Sequence, residues 1–275
     1  HQVVWGSEQT YYLDDYTLTS LETYFYVVTG KLFSNGYIQG ERQGNHLGSI
    51  DLGLEFEVSG VRIMLYRQNP YEVGGLAHLA NIQDGLNGLI IENLQREDRK
   101  TFWGKLLFEF LYTKNQAGRP WSPKYGSPYE PYYNHGQYLT GWSLDGTGLG
   151  NPFISTRDYL RQELPAHPDD YFVNNRVLAF HLAGKGAIND VDIKFKASWS
   201  RNFGTYHTTD EEQSTDITDP GSIGIFGRKE QFSAFIEMDK KVSNNIGVGL
   251  TGAVDLGELY YNSAGIFLRL TYLFR

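Results

Sequence analysis

Period-two alternation constrains this chain more than any other feature. Ile50, Leu52, Leu54, Phe56 and Val58 share one parity, and Ser49, Asp51, Gly53, Glu55 and Glu57 share the other. The pattern returns downstream. Val191, Ile193, Phe195, Ala197 and Trp199 oppose Asp192, Lys194, Lys196, Ser198 and Ser200, and Phe232, Ala234, Ile236 and Met238 oppose Ser233, Glu237 and Asp239. Ile246, Val248, Leu250, Gly252, Val254 and Leu256 face small or polar partners, and Ile266, Leu268, Leu270, Tyr272 and Phe274 oppose Arg269, Thr271 and Arg275. Successive strand side chains point to opposite faces, so the pattern predicts strands with one apolar and one wet face. Weaker strands fit 61–68, 86–94, 102–113 and 171–184, which makes nine in all.

The connectors follow a rule of their own. Ser59-Gly60, Gln95–Lys100, Lys185–Asn189 and Val242–Asn244 are short, and they alternate with longer joins at 69–85, 114–170, 204–228 and 258–263. Outer-membrane barrels have short periplasmic turns and longer extracellular loops in this alternation. Tyr66, Tyr112, Tyr206, Tyr260, Tyr261 and Tyr272 fall at strand ends, where an interfacial girdle belongs. The sequence therefore predicts an all-β fold, a transmembrane antiparallel β-barrel over 47–275 with an N-terminal segment at 1–46. A soluble sandwich or lipocalin-like barrel alternates as well. Charges at mid-strand (Glu55, Glu57, Lys194, Lys196, Glu237, Asp239) suit a wide watery lumen better. In the N-terminal segment, Leu18, Leu21, Phe25 and Val28 recur at helical spacing and predict a short amphipathic helix, while Tyr24–Thr29 has the composition of a strand. Single-chain bacterial barrels have an even strand number. A tenth strand is expected near Gln2–Trp5 or 21–28, or the rest of the barrel lies outside this chain.

Composition narrows the function classes. The chain of 275 residues carries 24 Lys+Arg against 32 Asp+Glu, so it offers no basic stripe and no nucleic-acid partner is expected. With no Cys it has no disulfides, thiolate metal sites or thiol nucleophiles. Its 20 Tyr and 31 Gly exclude a disordered chain. The mean hydropathy of −0.42 averages a greasy face with a charged one and does not by itself mean a water-soluble protein.

Chemistry-bearing motifs are sparse. Gly141-Trp142-Ser143-Leu144-Asp145 lacks the final Gly of a nucleophile elbow. His181 shares its parity with Val177 and Ala179, which turns it toward the lumen, away from the lipid side where a barrel phospholipase would need it. The seven His show no metal-binding spacing, and Asp210, Glu211, Glu212, Asp216 and Asp219 lack the EF-hand pattern, so no cofactor or metal is expected. The segment 114–170 is the most unusual. Trp121, Tyr125, Tyr129, Tyr132, Tyr133, Tyr138, Trp142 and Asp145 lie there among Pro, Gly, Asn and His. Aromatic faces beside polar groups suit carbohydrate, and the same rings could instead pack as a loop folded into the lumen.

Several stretches carry a resemblance. They are Gly44–Asp51, Tyr66–Asn69, Asp84–Leu86, Glu109–Gln116, Tyr133–Tyr138 with Gly141–Ser143, Leu149–Pro152, Asn174–Val177 and Ser200–Tyr206. In this order they resemble the Wzi family of outer-membrane capsule-assembly proteins, in the version found in Bacteroidota-like bacteria. The resemblance implies a barrel of about eighteen strands with associated helices, of which this chain matches the C-terminal half. It also implies a lectin-like, non-enzymatic role in holding capsular or exopolysaccharide at the bacterial outer membrane. The expected partners are surface polysaccharide, outer-membrane lipid and other outer-membrane proteins. The alternative expectation is a porin, transporter subunit or scaffold component, with Glu55, Glu57, Lys194, Lys196 and Arg269 lining a channel.

Overall fold

The computed structural model describes residues 1–4, 21–33, 41–72, 75–95, 100–118, 130–136, 138–209 and 223–274. Ten strands form one antiparallel sheet: β1 (Gln2–Val4), β2 (Asn45–Val58), β3 (Val61–Tyr71), β4 (Gly85–Asn93), β5 (Phe102–Tyr112), β6 (Val177–Ile188), β7 (Val191–Asn202), β8 (Lys229–Lys241), β9 (Ile246–Gly257) and β10 (Ser263–Tyr272). Spatial order equals chain order, so the sheet is a simple meander. The nine long strands are those the alternation predicts, and β1 supplies the tenth.

Two tight turns show why the register is firm. Ser59 and Gly60 have φ of 51° and 77°, and Asn189 and Asp190 have φ of 51° and 63°. Two positive φ values in a two-residue loop match the right-handed twist of the flanking strands. They set Val58 opposite Val61 and Ile188 opposite Val191. The second hairpin therefore turns one residue beyond the expected Lys185–Asn189 connector.

Two expectations need correction. The segment 171–184 is two elements: Phe172–Asn174 pairs with Ser155–Thr156, and β6 begins at Val177 after Asn175-Arg176 leave the ladder. The N-terminal helix forms over Leu21–Thr29 and ends at left-handed Gly30, but it buries Thr23 and Val27 and leaves Leu21, Phe25 and Val28 exposed. The expected apolar stripe is thus the outward one, because helical spacing alone does not say which side meets the protein. The sheet is open among the described residues: β1 and β10 are its two ends and do not pair with each other.

The two faces of the sheet differ in chemistry. On one face Leu52 and Leu54 are 68% and 60% exposed, and Ile266, Leu268 and Leu270 are 82%, 73% and 76% exposed. The opposite face carries the charges. The hydrophobic core lies in the long connectors, which antiparallel geometry gathers at one end as a cap. Tyr132, Tyr133, Trp142, Ile154 and Phe172 form one buried cluster, and Leu160, Val173, Phe226 and Leu259 form another. A third cluster joins cap to sheet: Leu111, Val177 and Ala179, with Leu86 and Phe153 packed against them. Leu86, Leu111 and Ala179 share the polar-face parity, so the cap lies against the inner face at the strand tops.

Candidate functional site

Two polar rows cross the inner face. Cross-strand register aligns Tyr66, Gly88, Glu109, His181, Ser198, Ser233, Asp255 and Ser263. The Tyr66 hydroxyl donates to Glu109 Oε1, passing its ring over Gly88. His181 Nδ1 and Ser198 Oγ are 2.7 Å apart, Ser233 Oγ donates to Asp255 Oδ1 at 2.5 Å, and Ser263 Oγ donates to Asp255 Oδ2 at 3.4 Å. Nearer the short turns runs a charged row. Arg62 bonds Glu57 at 2.9 Å and reaches Glu55 at 3.5 Å and Glu92 at 3.7 Å; Lys105 meets Glu92 at 3.3 Å and Lys194 meets Glu237 at 2.7 Å. These pairs are solvent-exposed and therefore individually weak, and their opposite charges agree with the register of the face.

His181 and Ser198 bring imidazole and hydroxyl to hydrogen-bond distance, which the sequence could not reveal. Both residues lie mid-strand, paired on both sides within the ladder, so the backbone amides around them are spent on strand pairing. Acyl transfer needs free N–H groups aimed at a developing oxyanion. The pair is therefore read as part of the polar row.

The cap is built around buried carboxylates. Asp84 accepts from the Asn115 amide at 2.9 Å, the Gln116 amide at 2.6 Å and the Tyr132 hydroxyl at 2.7 Å. Glu130 accepts the amides of Glu72 and Gly75, and Glu72 accepts the Tyr133 amide at 2.6 Å. Burial pushes the Glu72 carboxyl up to about 8, against the pull of the Tyr133 amide and with help from the Glu130 charge. Burial likewise pushes Asp84 up to about 6, although Tyr132, the two amides and Arg176 all favour its charged form. Asn134 imitates a strand partner, donating to the Phe172 carbonyl and accepting its amide, both at 2.8 Å. Arg176 donates to the Lys114 carbonyl at 3.1 Å and stacks 4.0 Å over the Tyr206 ring, tying cap to sheet.

The expected carbohydrate residues that are described fall in the cap. Tyr132, Tyr133, Tyr138 and Trp142 are 1%, 9%, 3% and 4% exposed and their rings pack the cap, while Tyr132, Tyr133 and Trp142 also line a cavity of about 380 Å³ together with Gln68, Thr113 and Asn151. Asp145 lies in the Leu144–Thr147 turn with φ of 47°. Trp121, Tyr125 and Tyr129 lie outside the described residues. More exposed aromatic faces lie elsewhere in the cap. A cleft of about 610 Å³ runs between the cap and the tops of β9 and β10, lined by Tyr159, Tyr260 and Tyr261 with Asn151, Thr156 and Asp255 among its polar groups. Its size falls in the range typical of small-ligand sites. Tyr159 and Tyr261 are each 54% exposed. Their orientation is held: the Tyr159 hydroxyl meets Thr147 Oγ1 at 3.2 Å, and the Arg161 guanidinium lies 5.4 Å from the Tyr261 ring centre. Arg161 also donates to the carbonyls of Tyr260 at 2.9 Å and Gly257 at 2.8 Å, which docks segment 157–164 on the β9–β10 connector. Asp255 and Ser263 end the polar row and open into this cleft.

Comparison of the chain with protein-family models, with curated proteins and with solved structures finds no match. No helix among the described residues is long and apolar enough to cross a membrane, which has no bearing on strands.

Proposed function

We propose that this chain is the wall of a bacterial outer-membrane β-barrel whose cap binds surface polysaccharide without catalysis. The architecture is supported by the division of the sheet into an apolar and a polar face. Apolar side chains cover the exposed outer face of the long strands, paired polar rows cross the inner one, and strands of 9 to 14 residues suffice to cross a bilayer. Whether these strands close alone or with others, as in the larger barrel of the family the sequence resembles, belongs to the same proposal.

The cleft at Tyr159, Tyr260 and Tyr261 is the observation that carries the binding role. Exposed aromatic faces stack on the C–H faces of sugar rings, and Asn151, Thr156 and Asp255 beside them can bond hydroxyls. The test uses the detergent-solubilised protein and a panel of purified capsular polysaccharides and exopolysaccharides. A Tyr159→Ala/Tyr261→Ala variant is expected to bind at least about tenfold more weakly, the loss of two stacking contacts of about 1 kcal/mol each. Equal binding by variant and wild type removes the cleft as the site, and no binding by the wild type removes the role. The charged inner row favours a second reading, a pore. Steady current in planar bilayers would support it, whereas a capped lumen conducts none.

A further inference from the structure

His167, Asp170 and His207 come from two different long connectors and converge in the cap. Asp170 is brought back toward His167 by a turn in which its amide bonds the His167 carbonyl at 3.1 Å. His207 sits in a short 3₁₀ turn, Tyr206–Thr208, held by a reciprocal Thr205/Thr208 capping box. The imidazoles stack with centres 4.3 Å apart, and His207 Nδ1 lies 3.0 Å from both Asp170 oxygens. One ligand atom from each residue falls within 4.8 Å of the others.

From this convergence we infer that His167, Asp170 and His207 form a binding site for a divalent transition-metal ion, best matched to Zn²⁺, with water in the fourth position. Two imidazoles and one carboxylate are a donor set that zinc takes, at bonds of ~2.0–2.2 Å. Such bonds place tetrahedral ligands ~3.3 Å apart, close to the His207–Asp170 separation and a modest side-chain adjustment from the widest one. The surroundings orient the donors in the way that metal sites require. Thr205 Oγ1 donates to Asp170 Oδ2 at 2.6 Å, and Asn134 Nδ2 approaches Asp170 Oδ1 at 3.3 Å. His167 Nδ1 accepts the Asp169 amide at 3.2 Å and lies 3.8 Å from the Asp169 carboxylate. His167 and Asp170 are buried and His207 is 22% exposed on its side chain, so the site opens to solvent on the His207 side. A bound ion would clip the 157–171 segment to the connector after β7. No sequence motif announces the site, because its third ligand lies 37 residues beyond the second. The inference is independent of the polysaccharide reading.

The test treats the folded, detergent-solubilised protein with chelator, removes the chelator and titrates ZnCl₂ by calorimetry. Metal content is counted by mass spectrometry, and Co²⁺ is used as a spectroscopic probe of tetrahedral N/O ligation. Wild type is expected to bind one Zn²⁺ at this site with micromolar or tighter affinity. His167→Gln and His207→Gln should each weaken it at least tenfold. A rival pair exists where His1 Nε2 lies 2.9 Å from His46 Nδ1, so His46→Gln serves as the control that should keep the site. Absence of saturable Zn²⁺ binding by folded wild type overturns the inference. So does wild-type affinity in folded His167→Gln, or loss of the site in His46→Gln.

Discussion

Gly88 acts through the side chain it lacks. A Cβ there would lie 2.0 Å from Tyr66 Cζ, because the Tyr66 ring crosses the glycine to reach Glu109. Gly48 is crossed in the same way by Tyr71. Gly88→Ala should push the ring away, break the Tyr66–Glu109 bond and cost about 1–3 kcal/mol, the usual range for overpacking. Gly53→Ala is the matched control, since its Cβ would meet nothing nearer than 3.7 Å. Urea midpoints of the folded form in detergent should fall for the first and hold for the second. Equal midpoints would show that the ring is free to move. Gly88 is one of 31 glycines, and nothing in its local sequence marks it. Its role follows from a neighbour 22 residues away in the chain, set opposite it by register.

At the scale of elements, the strands were legible and the cap was not. Alternation is a local property, so each strand carries its own signal, and the two-residue turn at Ser59-Gly60 carries its own, whereas the hairpin expected over Lys185–Asn189 turns at Asn189-Asp190. Asn175-Arg176 looked like strand because their side chains say nothing of leaving the ladder. The cap depends on residues far apart: Glu72 with Tyr133, Asp84 with Gln116, Arg161 with Tyr260. Aromatic richness marked 114–170 as the most unusual segment, but a connector this long must also bury a core of its own. Tyr132, Tyr133, Tyr138 and Trp142 contribute to it, and Tyr159 and Tyr261 present more exposed rings. The buried carboxylates give the cap a pH dependence with a definite sign. The folded cap raises the Glu72 pKa to about 8, so it binds that proton more tightly than the unfolded chain does. The stability this contributes is complete below the ordinary glutamate value and is lost as pH rises through about 8; Asp84 behaves alike through about 6. Limited proteolysis of the cap should therefore speed up from about pH 5 to about pH 9. Glu72→Gln should remove most of that change. A cap that becomes more resistant as pH rises would contradict the assignment.

For the whole molecule, the distribution of apolar surface is what the proposed membrane reading rests on. The described connectors hold the buried clusters, and under the proposal lipid covers the apolar face of the sheet. Parity in the meander also makes β1 significant. β2 and β10 run in the same direction, eight antiparallel steps apart, so direct closure between them would be a parallel pair. A strand on the β1 side restores the even, fully antiparallel pattern. β1 pairs only with Asn45–Leu47, leaving the β2 edge from Gly48 to Val58 unpaired among the described residues. Single-cysteine labelling tests the proposed lipid-facing sheet most directly, since the chain has no Cys of its own. Cysteines placed along β8 in outer-membrane preparations should alternate. Positions 233, 237 and 239 should react with a water-soluble maleimide, and 234, 236 and 238 only with a lipid-soluble one. Uniform aqueous labelling of both parities, or a chain that stays in the aqueous fraction, would contradict the account.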